Sequence, residues 1–445
     1  MTSKSFIFPY FLIVIASFSS YSLAQQRDLT GSMNFDGRYI VSTSDADMIG
    51  SAYVNGKLGP EEGTDTLSVI PLAGDPRDWS AVEIIASNSV AGPPAVLDLS
   101  PDGRYAFVIE TFKQRPENIV SPTFRDLKVG DRLQVFDLID PNKPVLTSDL
   151  VIPTRPLAIR MNSDGSLLAI TFHKSGAGSK TPLGLFPVKD GVIGTAVYPE
   201  IAEWDNTTEM IDIDWHPEKN ILAILNRDAS NLRFVSVTAS LAAEVLGNIV
   251  GIEKEPFRVE FTPDGRHVVV NGLYWGKDIQ GHWTEAPRGS VLTVRMNANS
   301  NNQKTRHAMI STIKTGVSPE GLAVSPDGKW VVTTNLERSY LPYNDKRITW
   351  FSSLTLARLD EKTGQLIKIG DFAYDGILPE AAVFDNSSNF IAVATYDHFD
   401  DRKKGGSIDF WRIDTDPLDA SRTHLVKTEY SVDVARGPHS MVIAR

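Results

Sequence analysis

Three short segments of the chain place a polar side chain directly after a proline: Pro319-Glu320, Pro379-Glu380 and Pro438-His439. Two carboxylates brought together in a recessed site raise their own pKa values, which suits general-base work near neutral pH. With Arg227 or Arg258 to hold a carbonyl oxygen as charge develops, and His439 to serve a leaving alkoxide, such a set could hydrolyse a carbonyl compound. A different use of the same region takes Glu320, Glu380, Asn335 and Asp397 as hard oxygen ligands for calcium or magnesium. Other metal chemistry finds little support. "HWTE" and "DWHPE" lack the helical His-Glu-x-x-His spacing of a zinc hydrolase, and a chain without cysteine has no thiolate site, covalent haem or disulfide.

These residues lie far apart in the chain, and a repeated phrase says how they meet. Aligned on the third position of a tight turn, the phrase reads "NFDGRYIVS" at Asp36, "SPDGRYAFV" at Asp102, "NSDGSLLAI" at Asp164, "HPEKNILAI" at Glu218, "TPDGRHVVV" at Asp264, "SPDGKWVVT" at Asp327 and "DNSSNFIAV" at Ser387. Proline presets the backbone, Asp or Ser bonds its own main chain, and glycine accepts positive φ, so each turn predicts a hairpin. A β-branched apolar run follows each one. Eight residues upstream stands a proline, at Pro94, Pro156, Pro256, Pro319 and Pro379, with Met210 in its place once.

The first copy lacks an upstream strand, and "RGPHSMVIAR" at the C-terminus has that strand without a turn. The C-terminal strand is therefore expected to complete the first unit. Seven units of four strands, closed in this way, predict an all-β, seven-bladed β-propeller over residues 25–445, which leaves no open sheet edge. A solenoid of seven sheets is the competing arrangement, and the C-terminal strand argues against it.

The phrase "SPEGLAVSPDGKWVVTTN", with "GPHSMVI" and "PDGRYAFV", resembles the YVTN-type repeat of lactonase-like seven-bladed propellers, the family of 6-phosphogluconolactonase and carboxymuconate lactonizing enzymes. That resemblance implies hydrolysis or formation of a lactone of a sugar or an aromatic acid. It matches Glu320, Asn335, Glu337, Arg227 and His439 to the acidic, Arg and His residues around the family's channel mouth. The sequence departs from the pattern in "WVVTTN" and in "GPHS", which lacks an Arg beside the His. It also shows no basic cluster for a phosphosugar.

In such a blade the start of the inner strand and the end of the second strand share the face opposite the turn. The inner-strand starts read Ala95, Leu157, Ile211, Phe257, Glu320, Glu380 and His439, with Asp212 and Arg258 one residue further in. The second strands end near Asp45 and Asp47, Glu110, His173, Arg227, Asn335 with Glu337 and Arg338, and Asp397 with His398. Four long insertions follow second strands, in blades two, five, six and seven, and they carry Trp275, Trp283 and Tyr340, flat surfaces suited to stacking on a ring. The candidate catalytic residues are thus Glu320, Glu380, His439, Arg227 and Arg258. The candidate binding residues are Asn335, Glu337, His173, Asp397, Trp275, Trp283 and Tyr340. Each also has a plainer reading: the carboxylates bond backbone amides around a water-filled channel, the histidines are satisfied donors, and the aromatics pack the insertions onto the blades.

Lys4, the apolar run "FIFPYFLIVIASF" and "SYSLA" form a secretory signal over residues 1–24, so the protein is expected to be exported, periplasmic or secreted. No later stretch has the roughly 18 apolar residues a membrane span needs. The chain has 44 basic and 55 acidic residues, a net charge of −11 that becomes −12 once Lys4 is removed. That charge argues against nucleic acid or an anionic membrane as partner. The expected partner is a small molecule, a lactone or sugar. A binding propeller without chemistry, holding a ligand or a protein, is the alternative.

Overall fold

A computed structural model describes residues 33–87, 95–174, 181–202, 204, 208–276, 282–297, 306–400, 402–416 and 419–445. Residues 1–24, expected from sequence to be a secretory signal, Pro94 and residues 277–281 of the blade-five insertion lie outside them. Asn34–Arg445 folds as one unit of seven four-stranded antiparallel sheets. Six of them run through the chain in order. The seventh pairs Tyr39–Ser44 with the C-terminal strand Pro438–Ala444, as the missing first strand and the turnless last one require. No helix among the described residues is long and apolar enough to cross a membrane.

Burial falls from the inside of each blade outward. The second strands Ile221–Asn226 and His267–Gly272 are buried at every position, since sheets pack against both of their faces, and each is built on a continuous apolar run, Ile221 to Leu225 and Val268 to Val270. The outermost strand Val145–Val151 is mostly exposed. Side chains from adjacent blades interlock: Leu157, Ile211, Phe257 and Val268 belong to one cluster that crosses three blades. Each such side chain contributes roughly 1.5–3 kcal/mol by leaving water.

The turns fold as their composition dictates. The Asp Oδ1 accepts the N–H two residues on, at 3.0 Å in Asp102, 2.9 Å in Asp164 and Asp264, and 3.1 Å in Asp327. The glycine that follows Asp327, Gly328, has φ 70°, a value open to glycine at little cost.

At the other end of the hairpin the pairing slips. Pro319 faces Asn335 while Gly321 faces Thr334, so Glu320 is an extra residue. The same slip makes Leu157, Ile211, Glu380 and His439 extra residues in their blades, and in blade five it takes in Phe257 and Arg258. A bulge re-aims its side chain out of the sheet's alternation. The residue just before the proline is left-handed in Arg155, Glu255, Ser318 and Leu378, at φ 52° to 58°, and in Gly437 at φ 79°. Left-handed residue, proline and bulge together form a repeated elbow at the mouth of the channel.

Candidate functional site: an aromatic chamber at the channel mouth

The insertions that follow the second strands pack on one another and build an apolar cap. To the four expected from sequence the structure adds a fifth, residues 45–65 of blade one. It contains the short helix Ala52–Asn55, which ends at Gly56 with φ 73°. This segment pairs with the blade-two insertion: Leu58 N–H donates to Pro122 O at 3.0 Å, and Phe124 N–H to Gly56 O at 2.9 Å. A capping box between Thr123 and Asp126 fixes the short turn that carries Phe124. The result sets Tyr53 against Phe124, ring centroids 5.8 Å apart. On the other side Arg338 of blade six donates to the carbonyls of Thr284 and Ala286 in blade five, both at 2.9 Å. That clamp holds Trp283 beside Tyr340. Phe257, Trp275 and Trp283 follow one another at 6.2 and 6.3 Å, tilted by 51° and 55°, and Trp275 is anchored by its indole N–H on Ser318 Oγ at 2.8 Å.

These walls enclose a chamber of about 430 Å³, into which Glu320 and Arg227 also face. They are the charged side chains of its lining among the described residues. Glu320 is 6% exposed, and burial pushes its carboxyl up to about 8, against the pull of Arg227. Arg227 is itself held by Glu255, Nε to Oε2 2.6 Å. Asn271 fixes the backbone of the Glu320 bulge. Its amide donates to Glu320 O at 3.0 Å, and its Oδ1 accepts Arg258 N–H at 2.7 Å.

Below the chamber the channel turns polar. Glu380 is 1% exposed with no hydrogen bond to either carboxyl oxygen from the described residues. Its pKa is raised well above the usual range by burial and then by the charge of Glu320. Deeper still, carboxylates tie one blade's inner strand to the next: Asp98 accepts Met161 N–H at 2.7 Å, Asp212 Val259 N–H at 2.9 Å and Asp214 Phe261 N–H at 2.7 Å. Arg258 lies in this layer, 3.0 Å from Asp212. It lines a second cavity, at the turn end of the channel.

Of the residues expected from sequence, the structure therefore brings Glu320, Arg227, Trp275, Trp283 and Tyr340 to one chamber. It sets the others elsewhere. His439 is fully buried, its Nδ1–H donating to Gly437 O at 2.9 Å and its Nε2 accepting from Thr43 at 3.2 Å. Burial lowers its pKa to about 4. His173, lowered to about 4 by burial and then by Arg155, stands 3.4 Å from Glu209. Asn335 donates to Ser353 and Thr355 and accepts from Thr333, each at 3.0 Å, inside blade six. Glu337 accepts from Ser353 at 2.7 Å. Asp397 faces Arg436 at 3.4 Å. With Asn335 occupied inside its blade, the four-residue metal set does not assemble. A tighter acidic group is Asp45, Asp47 and Asp65, all buried, whose oxygens lie within 4.8 Å of one another.

Sequence reasoning missed Tyr53, Phe124 and Leu378, which also line the chamber. The 21 residues between the second and third strands of blade one, with Tyr53 at their centre, were the available signal for the first. The position before the repeated proline was the signal for Leu378 and for Glu255.

No family model matches the chain, and no curated protein matches it. Solved structures do. The periplasmic gluconolactonase PpgL of Pseudomonas aeruginosa superposes with a TM-score of 0.60 at 16% identity, covering 91% of this chain and 99% of its own. A candidate 6-phosphogluconolactonase of Bacteroides uniformis does so at 0.60 and 15%, covering 92% and 100%. A hypothetical selenium-binding protein of Sulfolobus tokodaii reaches 0.59 at 10%, covering 92% and 94%. At these identities the likeness is one of fold: the chain shares the seven-bladed propeller of the 6-phosphogluconolactonase-like structures.

Proposed function

We propose that this protein is an exported lactone hydrolase whose reaction takes place in the aromatic chamber. Supporting this reading is one observation above all: a buried carboxyl with a raised pKa, Glu320, stands with a cation, Arg227, in a chamber whose lining carries no other charge among the described residues. Ionised Glu320 takes a proton from water as the water oxygen bonds to the lactone carbonyl carbon. Arg227 stabilises the negative oxygen that forms. Collapse breaks the ring C–O bond, and the proton held by Glu320 passes to the leaving alkoxide, releasing a hydroxy acid. One residue thus serves as base and then as acid, which leaves no step for the buried His439. The fold shared with gluconolactonase structures agrees with this reading, and the signal expected over residues 1–24 supports export.

The test is proton release from a panel of lactones, with Glu320→Gln in parallel. Loss of turnover by 10²-fold or more in the variant, with the fold intact, is expected from the general acid–base contribution. A second reading, a propeller that binds without reacting, is favoured by the apolar lining; saturable binding with no turnover on any lactone would select it.

A further inference from the structure

A chamber's lining states which ligands it can desolvate. A sugar lactone brings several hydroxyls, each of which must exchange water for a protein partner when buried. Few partners stand ready among the described residues of this chamber. The Trp275 indole is spent on Ser318, and most of the wall is ring carbon and aliphatic carbon. A phosphorylated or polycarboxylate lactone brings net negative charge. Among the described residues the one cation of the lining, Arg227, is already held by Glu255 at 2.6 Å, and Glu320 stands close enough to feel its charge, so this lining carries no net positive charge. Two aromatic walls remain: the run Phe257, Trp275, Trp283 and the pair Tyr53, Phe124. The volume of about 430 Å³ lies toward the small end of the roughly 300–1,000 Å³ of small-molecule pockets.

We propose that the ligand of this chamber is an uncharged, flat lactone fused to or bearing an aromatic ring, and that sugar and phosphosugar lactones are poor ligands. This deepens the function proposed above and rests on it for the chemical step, though not for binding. The rings of the ligand lie against the aromatic walls, and its carbonyl lies toward Arg227 and Glu320.

The experiment uses dihydrocoumarin and glucono-1,5-lactone as probes on the purified mature protein. Binding to Glu320→Gln is read by tryptophan fluorescence, and hydrolysis by wild type is read by proton release. Dihydrocoumarin is expected to bind at least tenfold more tightly than gluconolactone. Trp283→Phe should keep most of that affinity, whereas Trp283→Ala should lose about tenfold. Tighter binding of gluconolactone, or no binding of dihydrocoumarin, overturns the proposal. Dihydrocoumarin that binds but is not hydrolysed keeps the ligand class and removes the hydrolase reading. Gluconolactone hydrolysed in a Glu320-dependent way, with dihydrocoumarin ignored, keeps the hydrolase and removes the ligand class.

Discussion

Glu320 and Glu380 occupy the same bulge in adjacent blades, and the two carboxyls differ in what surrounds them. Glu320 faces a chamber that also holds Arg227. Glu380 is buried with no donor from the described residues and feels the charge of Glu320. Glu320 therefore gives up its proton first, and its charge then keeps Glu380 neutral.

That order fixes a pH profile. A base must be deprotonated, so hydrolysis should rise with pH through about 8 and level off above it. Arg227→Gln removes the cation that lowers Glu320, so the rising limb should move to higher pH and kcat should fall by ~10-fold or more. Glu380→Gln should leave the limb near its wild-type position. A pH series of kcat/KM for the three proteins checks this, and an unshifted limb in Arg227→Gln would remove Arg227 from the site.

The same pair sets stability. Both folded-state pKa values lie above the usual carboxylate value, so the folded protein binds these protons more tightly than the unfolded chain. Their contribution is complete below the unfolded pKa of about 4.3 and is lost as pH rises through the folded values, by about 1.4 kcal/mol per pH unit per group. Glu380→Gln cannot pay that cost. Calorimetry should find the variant close to wild type at pH 5 and several degrees more stable at pH 9.

Much of this architecture was legible in the sequence because its causes are local. The Asp-Gly turns announce themselves by residue type, and the missing first strand matched the surplus last one. Glu320 was legible for the same reason, since a proline eight residues before most of the turns marks the bulge. Its partners were not. Glu255 and Leu378 reach the mouth through a left-handed residue before proline, a conformation no composition rule suggests. Tyr53 becomes a wall only because one insertion pairs with another across blades. His439 lies apart from these residues. Its position in the repeat matched that of the glutamates, yet the closing strand buried its ring between Thr43 and Gly437.

For His439 the expected phenotype is therefore structural. His439→Leu leaves the Gly437 carbonyl and the Thr43 hydroxyl buried without their ring partner, a loss of about 1–3 kcal/mol. The lowered pKa of about 4 adds a pH signature: the stabilisation is whole above the unfolded value of about 6.5 and is lost as pH falls through the folded one. Urea titrations at pH 7 and pH 4.5 should show the gap between wild type and variant shrinking in acid. The kcat/KM limb near pH 8 should stay where it is.

Asn271 positions Glu320 without lining the chamber. Its amide holds the Glu320 carbonyl from blade five while its oxygen holds Arg258 N–H, so the two bulges move as one. Asn271→Ala should cost about 2 kcal/mol of stability. It should lower kcat more than it raises KM, since the aromatic walls remain intact. Equal effects on both parameters would mean that the bulge does not control the geometry of the base.

Arg258 tests whether the polar layer deeper in the channel takes part in the chemistry. It pairs at 3.0 Å with Asp212, which is fully buried and also caps Val259 N–H. Removing the cation leaves that carboxylate only the more distant Arg160, at 3.7 Å, and breaking a buried pair costs up to about 3–5 kcal/mol. Arg258→Met should therefore unfold at a distinctly lower temperature, while Arg258→Met combined with Asp212→Asn should recover part of the loss. In the double variant, dihydrocoumarin binding should match wild type, because the chamber is walled by the insertions and entered from the opposite end of the channel. Lost binding in that folded double variant would instead join the two cavities into one working site.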